Sequence, residues 1–250
     1  PLALALMVVL AAGPVTRWRR DSLRAVAVRL AVPLLAGAVA LALLVALAGG
    51  RIGILPLLGL IAAALVGVAS LAPLWGRNLR RTPLFTWGMV IAHLGCAVSV
   101  AGMASESAFS TEKLVAARPG ETIRTAGWTI AFTGVTPVAG PNWTAMEGRF
   151  AASRGGGAPR ELKPQARFFA EPPTNTTESA LLTRWDGQLY VVLGDPLDDG
   201  RWQLRIWWKP FVTLIWAGGG LIGLGGVLAI LGRVGRGWLR RRREPKTRFA

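Results

Sequence analysis

The 250 residues include one histidine, one cysteine and one tyrosine, and only 17% of them are charged. A lone Cys96, set within an apolar run, excludes a disulfide framework inside the chain. The long polar segment from 106 to 209 has neither histidine nor cysteine, so zinc sites and cysteine nucleophiles have no ligands or bases there. A serine–histidine dyad within the chain could draw only on His93. Acidic residues are also few, 13 against 29 basic ones, which leaves a formal charge of +16.

What is abundant is apolar surface. Hydrophobic residues make up 52% of the chain, and four stretches hold no Asp, Glu, Lys or Arg: Leu30–Gly50, Ile52–Gly76, Thr82–Ser105 and Pro210–Gly232. Each reaches the roughly 20 residues that a helix needs to cross ~30 Å of hydrocarbon. A shorter uncharged stretch, Pro1–Thr16, has no basic segment before it and so does not read as a signal peptide. It reads as the tail of a first helix, which makes the chain a C-terminal piece of a longer protein.

The surplus of positive charge is patterned. Arg17, Arg19, Arg20, Arg24 and Arg29 precede the first complete span, Arg77, Arg80 and Arg81 lie between the second and third, and Arg233, Arg236, Arg240–Arg243, Lys246 and Arg248 follow the last. The alternate connections carry only Arg51 and the segment 106–209, where 12 basic residues face 11 acidic ones. Counting each span as a crossing, all the basic clusters fall on one side, which is the positive-inside pattern. The charge orients the protein in a membrane, with its C-terminus cytoplasmic, and does not indicate nucleic-acid binding. Trp75, Trp87, Trp207, Trp208 and Trp238 sit near span ends, where interfacial aromatics are expected.

The expected fold is therefore an integral-membrane α-helical bundle with an inserted extracytoplasmic β-rich domain, barrel- or sandwich-like. Its divisions are transmembrane helices in 1–105 (near 1–16, 30–50, 52–76 and 82–105), the β-rich domain at 106–209, a last span at 210–232 and a basic cytoplasmic tail at 233–250. Within the domain, β-branched and aromatic runs alternate with turn chemistry at Ala139–Asn142, Gly155–Gly157, Trp185–Gly187 and Asp198–Gly200. About six to eight strands are expected. The adjacent Asp198 and Asp199 read as solvated turn residues. The sequons at Asn142 and Asn175 are assigned no function.

His93 lies within Thr82–Ser105. Gly88, Ala92, Gly95, Ser99 and Gly102 form one small-residue stripe for close helix packing, and His93 falls about 140° away, with Thr86, Met89, Ala97 and Val100. A polar residue at membrane depth is either hydrogen-bonded to a neighbouring helix or functional, as a proton relay, a metal ligand or a haem axial ligand. A relay needs further ionisable groups, which the other complete spans do not offer, and an imidazole among apolar groups suits a neutral ligand for a large flat cofactor. Cys96, three residues on, reads as a small filler in the helix.

Several strings resemble a known family: Trp87-Gly-Met-Val-Ile-Ala-His93-Leu-Gly, Gly140-Pro-Asn-Trp143, Leu162-Lys-Pro164 with Arg167, Thr177-Glu178, Gln188-Leu-Tyr190 with Leu193-Gly194, and Lys209-Pro-Phe-Val-Thr-Leu-Ile-Trp216-Ala-Gly. In this order they resemble the C-terminal part of the CcmF family, the membrane haem lyase subunits of bacterial c-type cytochrome maturation. The chain departs from the family pattern at Gln165, where an acidic residue is expected, and at Leu221-Ile222, where methionine is expected.

The resemblance implies a bacterial inner-membrane location with the β domain in the periplasm. It implies thioether attachment of haem, as substrate, to Cys-x-x-Cys-His apocytochromes. His93 then matches a histidine that holds a haem b in the bundle as an axial ligand to iron. The catalytic residues and the second axial ligand are not assigned in this chain. Implied partners are a haem chaperone, thiol-handling maturation subunits and apocytochrome c. The alternatives are a paralogue dedicated to nitrite-reductase maturation, or a non-catalytic scaffold or transporter subunit.

Overall fold

A computed structural model describes residues 2–16, 23–47 and 52–243. Arg17, Arg19, Arg20, Arg51, Lys246 and Arg248 of the charge pattern lie outside the described residues. The chain divides into two units, one made of residues 1–108 and 214–250, the other of 109–213.

The first unit is helical: α1 (Leu2–Ala12), α2 (Leu23–Leu47), α3 (Ile54–Leu71), α4 (Leu84–Phe109) and α5 (Thr213–Arg243). Among the described residues, Ile54–Leu74, Leu84–Phe109 and Thr213–Arg236 are long and apolar enough to cross a membrane. Beyond the last apolar run α5 continues as helix through its arginines to Arg243. Small residues set the packing. On α3, Gly59, Ala62, Ala63, Val66, Ala69 and Ser70 are buried, and α1 lays Ala11 into a cluster with Leu65, Val66, Ala69 and Ala97. Hydrophobic driving force is weak between helices in lipid, so close van der Waals fit must hold such contacts.

The second unit is all β, with ten strands: β1 (Thr111–Ala117), β2 (Thr122–Thr125), β3 (Trp128–Ala139), β4 (Trp143–Arg154), β5 (Arg160–Leu162), β6 (Gln165–Phe169), β7 (Thr174–Glu178), β8 (Ala180–Arg184), β9 (Gly187–Pro196) and β10 (Trp202–Pro210). One antiparallel sheet runs β1-β10-β9-β8 and the other β2-β3-β4-β6-β7, with β5 added beside β4. Strict alternation decides which side chains meet between the sheets. Leu189, Val191 and Leu193 of β9 and Leu204, Ile206 and Trp208 of β10 point inward, opposite Trp128, Ile130 and Phe132 of β3 and Phe150 of β4.

The count exceeds the six to eight strands expected because three strands lack the strand signature. β1 (TEKLVAA) is composed of good helix formers, and its pairing with β10 overrides that preference. β7 (TNTTE) is an exposed edge with no apolar face, and β5 is three residues long. Trp208 is also not an interfacial aromatic. It is 6% exposed and packs in the sandwich core, its ring 5.5 Å from that of Trp128.

Phe132 and Phe150 stack at 4.6 Å between ring centroids, and both are fully buried. Phe150→Ala is expected to cost the β unit roughly 3–5 kcal/mol, the sum of lost transfer energy and a cavity. Limited proteolysis of the full chain should then cut within 109–213 at lower temperature than in wild type. Phe168→Ala, on a half-exposed ring, should leave the cleavage pattern unchanged.

Candidate functional site

His93 stands nine residues into α4, roughly 14 Å along its axis at 1.5 Å per residue. The helix meets a neighbour on each of two faces. On one face Gly88, Gly95 and Gly102 abut α5 so closely that a Cβ on Gly95 would lie 2.7 Å from the Gly218 carbonyl oxygen, and one on Gly102 2.9 Å from Ile215 N. The Ser99 hydroxyl donates across this seam to the Ile215 carbonyl at 3.2 Å. On the opposite face Ala104 approaches Gly59 of α3, and Ala97 approaches Gly67. These two contacts run antiparallel, and one more turn along the same register brings Ser70–Leu71 level with His93.

The small-residue stripe expected from the sequence is therefore the α4–α5 seam. His93 belongs to the other face, the one that carries Ala97. Its side chain is half-buried. Nδ1 lies 2.8 Å from the Met89 carbonyl oxygen, one turn back on the same helix. A carbonyl only accepts, so Nδ1 carries the proton and donates. In the neutral ring that leaves the lone pair on Nε2. Nε2 has no hydrogen-bond partner among the described residues. A backbone carbonyl holding Nδ1–H is the usual way a protein fixes the tautomer and ring orientation of a metal-ligating histidine.

The surrounding chemistry limits what the ring can do. No cluster of three or more His, Cys, Asp or Glu able to hold a metal ion occurs among the described residues. Among the described residues, the buried polar side chains of the helical unit are Ser70, Thr86 and Ser105, and Ser70 is already engaged, donating to the Gly67 carbonyl at 2.7 Å. One neutral imidazole therefore fits a metal that brings most of its own ligands, as the iron of a porphyrin does. It does not fit a protein-built zinc cage. Cys96 is a free, half-buried thiol.

The β unit has neither histidine nor cysteine. Asp198 and Asp199 do form a turn, where the Asp199 carboxylate accepts from Arg201 N at 3.1 Å and Nε at 2.6 Å. Those bonds, the backbone one first, hold its pKa below the usual carboxylate value. Gln165, which departs from the family pattern, is built into a polar chain: its amide donates to Glu147 at 2.7 Å, and its oxygen accepts from Arg167 Nε at 2.8 Å. Arg167 in turn bonds Glu178 and lies 4.4 Å over the Trp143 ring. A neutral amide, both donor and acceptor, can bridge Glu147 and Arg167, which a carboxylate could not do without like-charge repulsion. Nothing in residue order marks this network, whose members come together only through the β4–β6–β7 register.

Comparison with known proteins bears on the family and the fold. Residues 108–210 match the family model described as the CcmF C-terminal beta-sandwich. The chain is similar to the cytochrome c-type biogenesis protein CcmF of Pseudomonas fluorescens, with 36% identity over 93% of this chain and 36% of the relative. With CcmF of Escherichia coli (strain K12) it shares 33% identity over 89% of this chain and 35% of the relative. The biogenesis protein NrfE of Haemophilus influenzae is 29% identical over 68% of this chain and 26% of its own length. A solved structure of "Cytochrome c Heme Lyase CcmF" superposes with a TM-score of 0.70 over 92% of this chain and 38% of that one, at 20% identity, a likeness of fold. The chain thus spans little more than a third of the length of the two CcmF relatives and of the solved structure, and about a quarter of NrfE.

Proposed function

The chain belongs to the CcmF family, whose C-terminal part it matches along most of its length, and on that premise we propose that it serves covalent haem attachment in cytochrome c maturation, with His93 as an axial ligand to a haem b held among the helices. The observation that carries the ligand assignment is the Nδ1–H bond to the Met89 carbonyl, which leaves Nε2 with a free lone pair. Haem bound there supplies one-electron transfer, suited to keeping a substrate haem ferrous.

The chain's own residues hold and insulate. Met89 fixes the ring, and the flanking apolar face excludes water and lowers the local dielectric, which tunes the potential of a bound iron. A second axial ligand does not come from a histidine of this chain, which has no other. The glycine seam with α5 and the alanine contacts with α3 keep α4 from rotating, so His93 presents a constant face. The β unit, with no histidine or cysteine, scaffolds the outer site, where haem as substrate and the apocytochrome meet, or docks the haem chaperone and the thiol-handling subunits. The basic clusters orient the helices with Arg77–Arg81 and the C-terminus cytoplasmic and the β unit in the periplasm of the inner membrane.

The activity is tested with the full-length protein expressed in a maturation-deficient strain beside a Cys-x-x-Cys-His reporter cytochrome. Covalent haem on the reporter, detected by in-gel haem staining, is expected only when the protein is present. A reporter that stays unstained although all maturation components are present would leave a scaffold role instead.

A further inference from the structure

The end of the sandwich from which both helices leave carries a group of arginines that haem chemistry does not use. β1 begins at Thr111, two residues after α4 ends, and pairs there with Trp208. α5 begins three residues after β10 ends at Pro210, whose partner is Gly187. The β8–β9 turn is tied to that exit: Phe211 N donates to the Asp186 carbonyl at 2.9 Å, and the Thr213 hydroxyl donates to the Trp185 carbonyl at 3.1 Å. Through this end the chain passes from α4 into β1 and from β10 into α5.

A cavity of about 320 Å³ opens here, lined by Trp128, Arg154, Arg160 and Arg184. Arg154 and Arg184 share one carboxylate, bonding separate oxygens of Asp186 at 2.9 and 3.0 Å. The Arg154 guanidinium lies 4.4 Å over the Trp208 ring, so its position is fixed by packing as well as by charge. Arg160 has no ion pair among the described residues. Three guanidinium groups against one carboxylate leave the cavity with two net positive charges. Beside it, at the tip of the β8–β9 turn, Trp185 is 81% exposed. An uncovered indole next to clustered arginines is the residue pairing of a bilayer interface, where the ring sits at headgroup level and the cations meet phosphate.

We propose that this cavity takes the phosphate of an anionic phospholipid headgroup from the leaflet facing the β unit, with Arg160 and Arg184 as its ligands and Trp185 seated in the interface beside it. The site rests on reading α4 and α5 as membrane spans. Arg154, through Asp186 and Trp208, couples it to the sandwich core.

The test counts lipids retained by the full-length protein in a phosphate-free maltoside detergent, by native mass spectrometry, after titration with phosphatidylglycerol or phosphatidylcholine. Wild type is expected to hold one more phosphatidylglycerol than Arg160→Gln, and occupancy of that lipid should fall about fivefold in this variant and further in Arg160→Gln/Arg184→Gln. The Arg160 side chain has no ion pair among the described residues, so its variant separates lipid loss from misfolding. Equal retention by wild type and Arg160→Gln overturns the site, as does displacement of the lipid by millimolar inorganic phosphate, which would make it a free-anion site. Alkali-washed membranes decide the premise separately. Protein that washes off refutes the spans, whereas protein that stays but shows no Arg160 dependence refutes only the lipid site.

Discussion

His93→Ala is expected to remove the low-spin b-type band from the reduced-minus-oxidised spectrum of the full-length protein, with cytochrome c maturation lost alongside it, while the protein still accumulates in the membrane. The structure explains why folding should survive. The imidazole is half-buried, and its one bond among the described residues is to its own helix, so truncation orphans no other described group. The Met89 carbonyl keeps the His93 backbone N–H as its regular helical partner. What disappears is Nε2, which has no hydrogen-bond partner among the described residues.

His93→Gln is the sharper variant. Glutamine preserves polarity and a hydrogen bond to the Met89 carbonyl but gives iron no comparable nitrogen ligand. If His93 is only a packing residue, Gln will behave as wild type. If it is an axial ligand, Gln will match Ala, and adding free imidazole to the alanine variant should restore part of the band by entering the space the side chain left. A band of unchanged shape and intensity in His93→Ala would end the assignment.

How far the sequence could be read depended on whether each feature carried a period. The apolar runs and the stripe at Gly88, Gly95 and Gly102 were legible because a helix repeats every 3.6 residues, and seven-residue spacing keeps a side chain on one face. The face of His93 followed from the same arithmetic, and the contact of Ala97 with Gly67 agrees with it. β3, β4, β9 and β10 were visible through alternation. β1 was hidden because its composition favours helix and only its partner β10 makes it a strand, and Trp208 was misplaced because closeness to a span end in sequence does not say which face of β10 it occupies. The Met89 bond to His93 is a rotamer choice with no trace in residue order. The Arg154–Asp186–Arg184 cluster joins residues up to 32 positions apart, and pairing of the strands had to be known first.

The glycines of α5 show the same limit and give the second large effect. Gly218, Gly219, Gly220, Gly223, Gly225 and Gly226 look alike in the sequence, all permitting close approach. In the structure they divide. Gly225 faces α4, where an added Cβ would lie 2.5 Å from both Ala92 N and the Gly88 carbonyl oxygen, and Gly218 meets Ser99 and the Gly95 carbonyl in the same way. Gly219, Gly220, Gly223 and Gly226 have nothing within 4 Å of that position among the described residues.

The atoms in the way at Gly225 belong to backbone, which cannot rotate aside, so Gly225→Leu must push the two helices apart along their length. Ordinary overpacking costs about 1–3 kcal/mol. Here the displacement also breaks the Ser99–Ile215 hydrogen bond two turns away and shifts α4, hence His93, with it. Gly225→Leu is therefore expected to lower the thermal midpoint of the detergent-solubilised protein sharply and to reduce any b-type band without touching the ligand. Gly223→Leu, two residues away and facing open space, should leave both nearly as in wild type. Equal loss from the two variants would mean that α5 is held by a face other than the one carrying Gly218 and Gly225. Loss at Gly225 alone would establish that seam as what holds α4, and with it the histidine, in place.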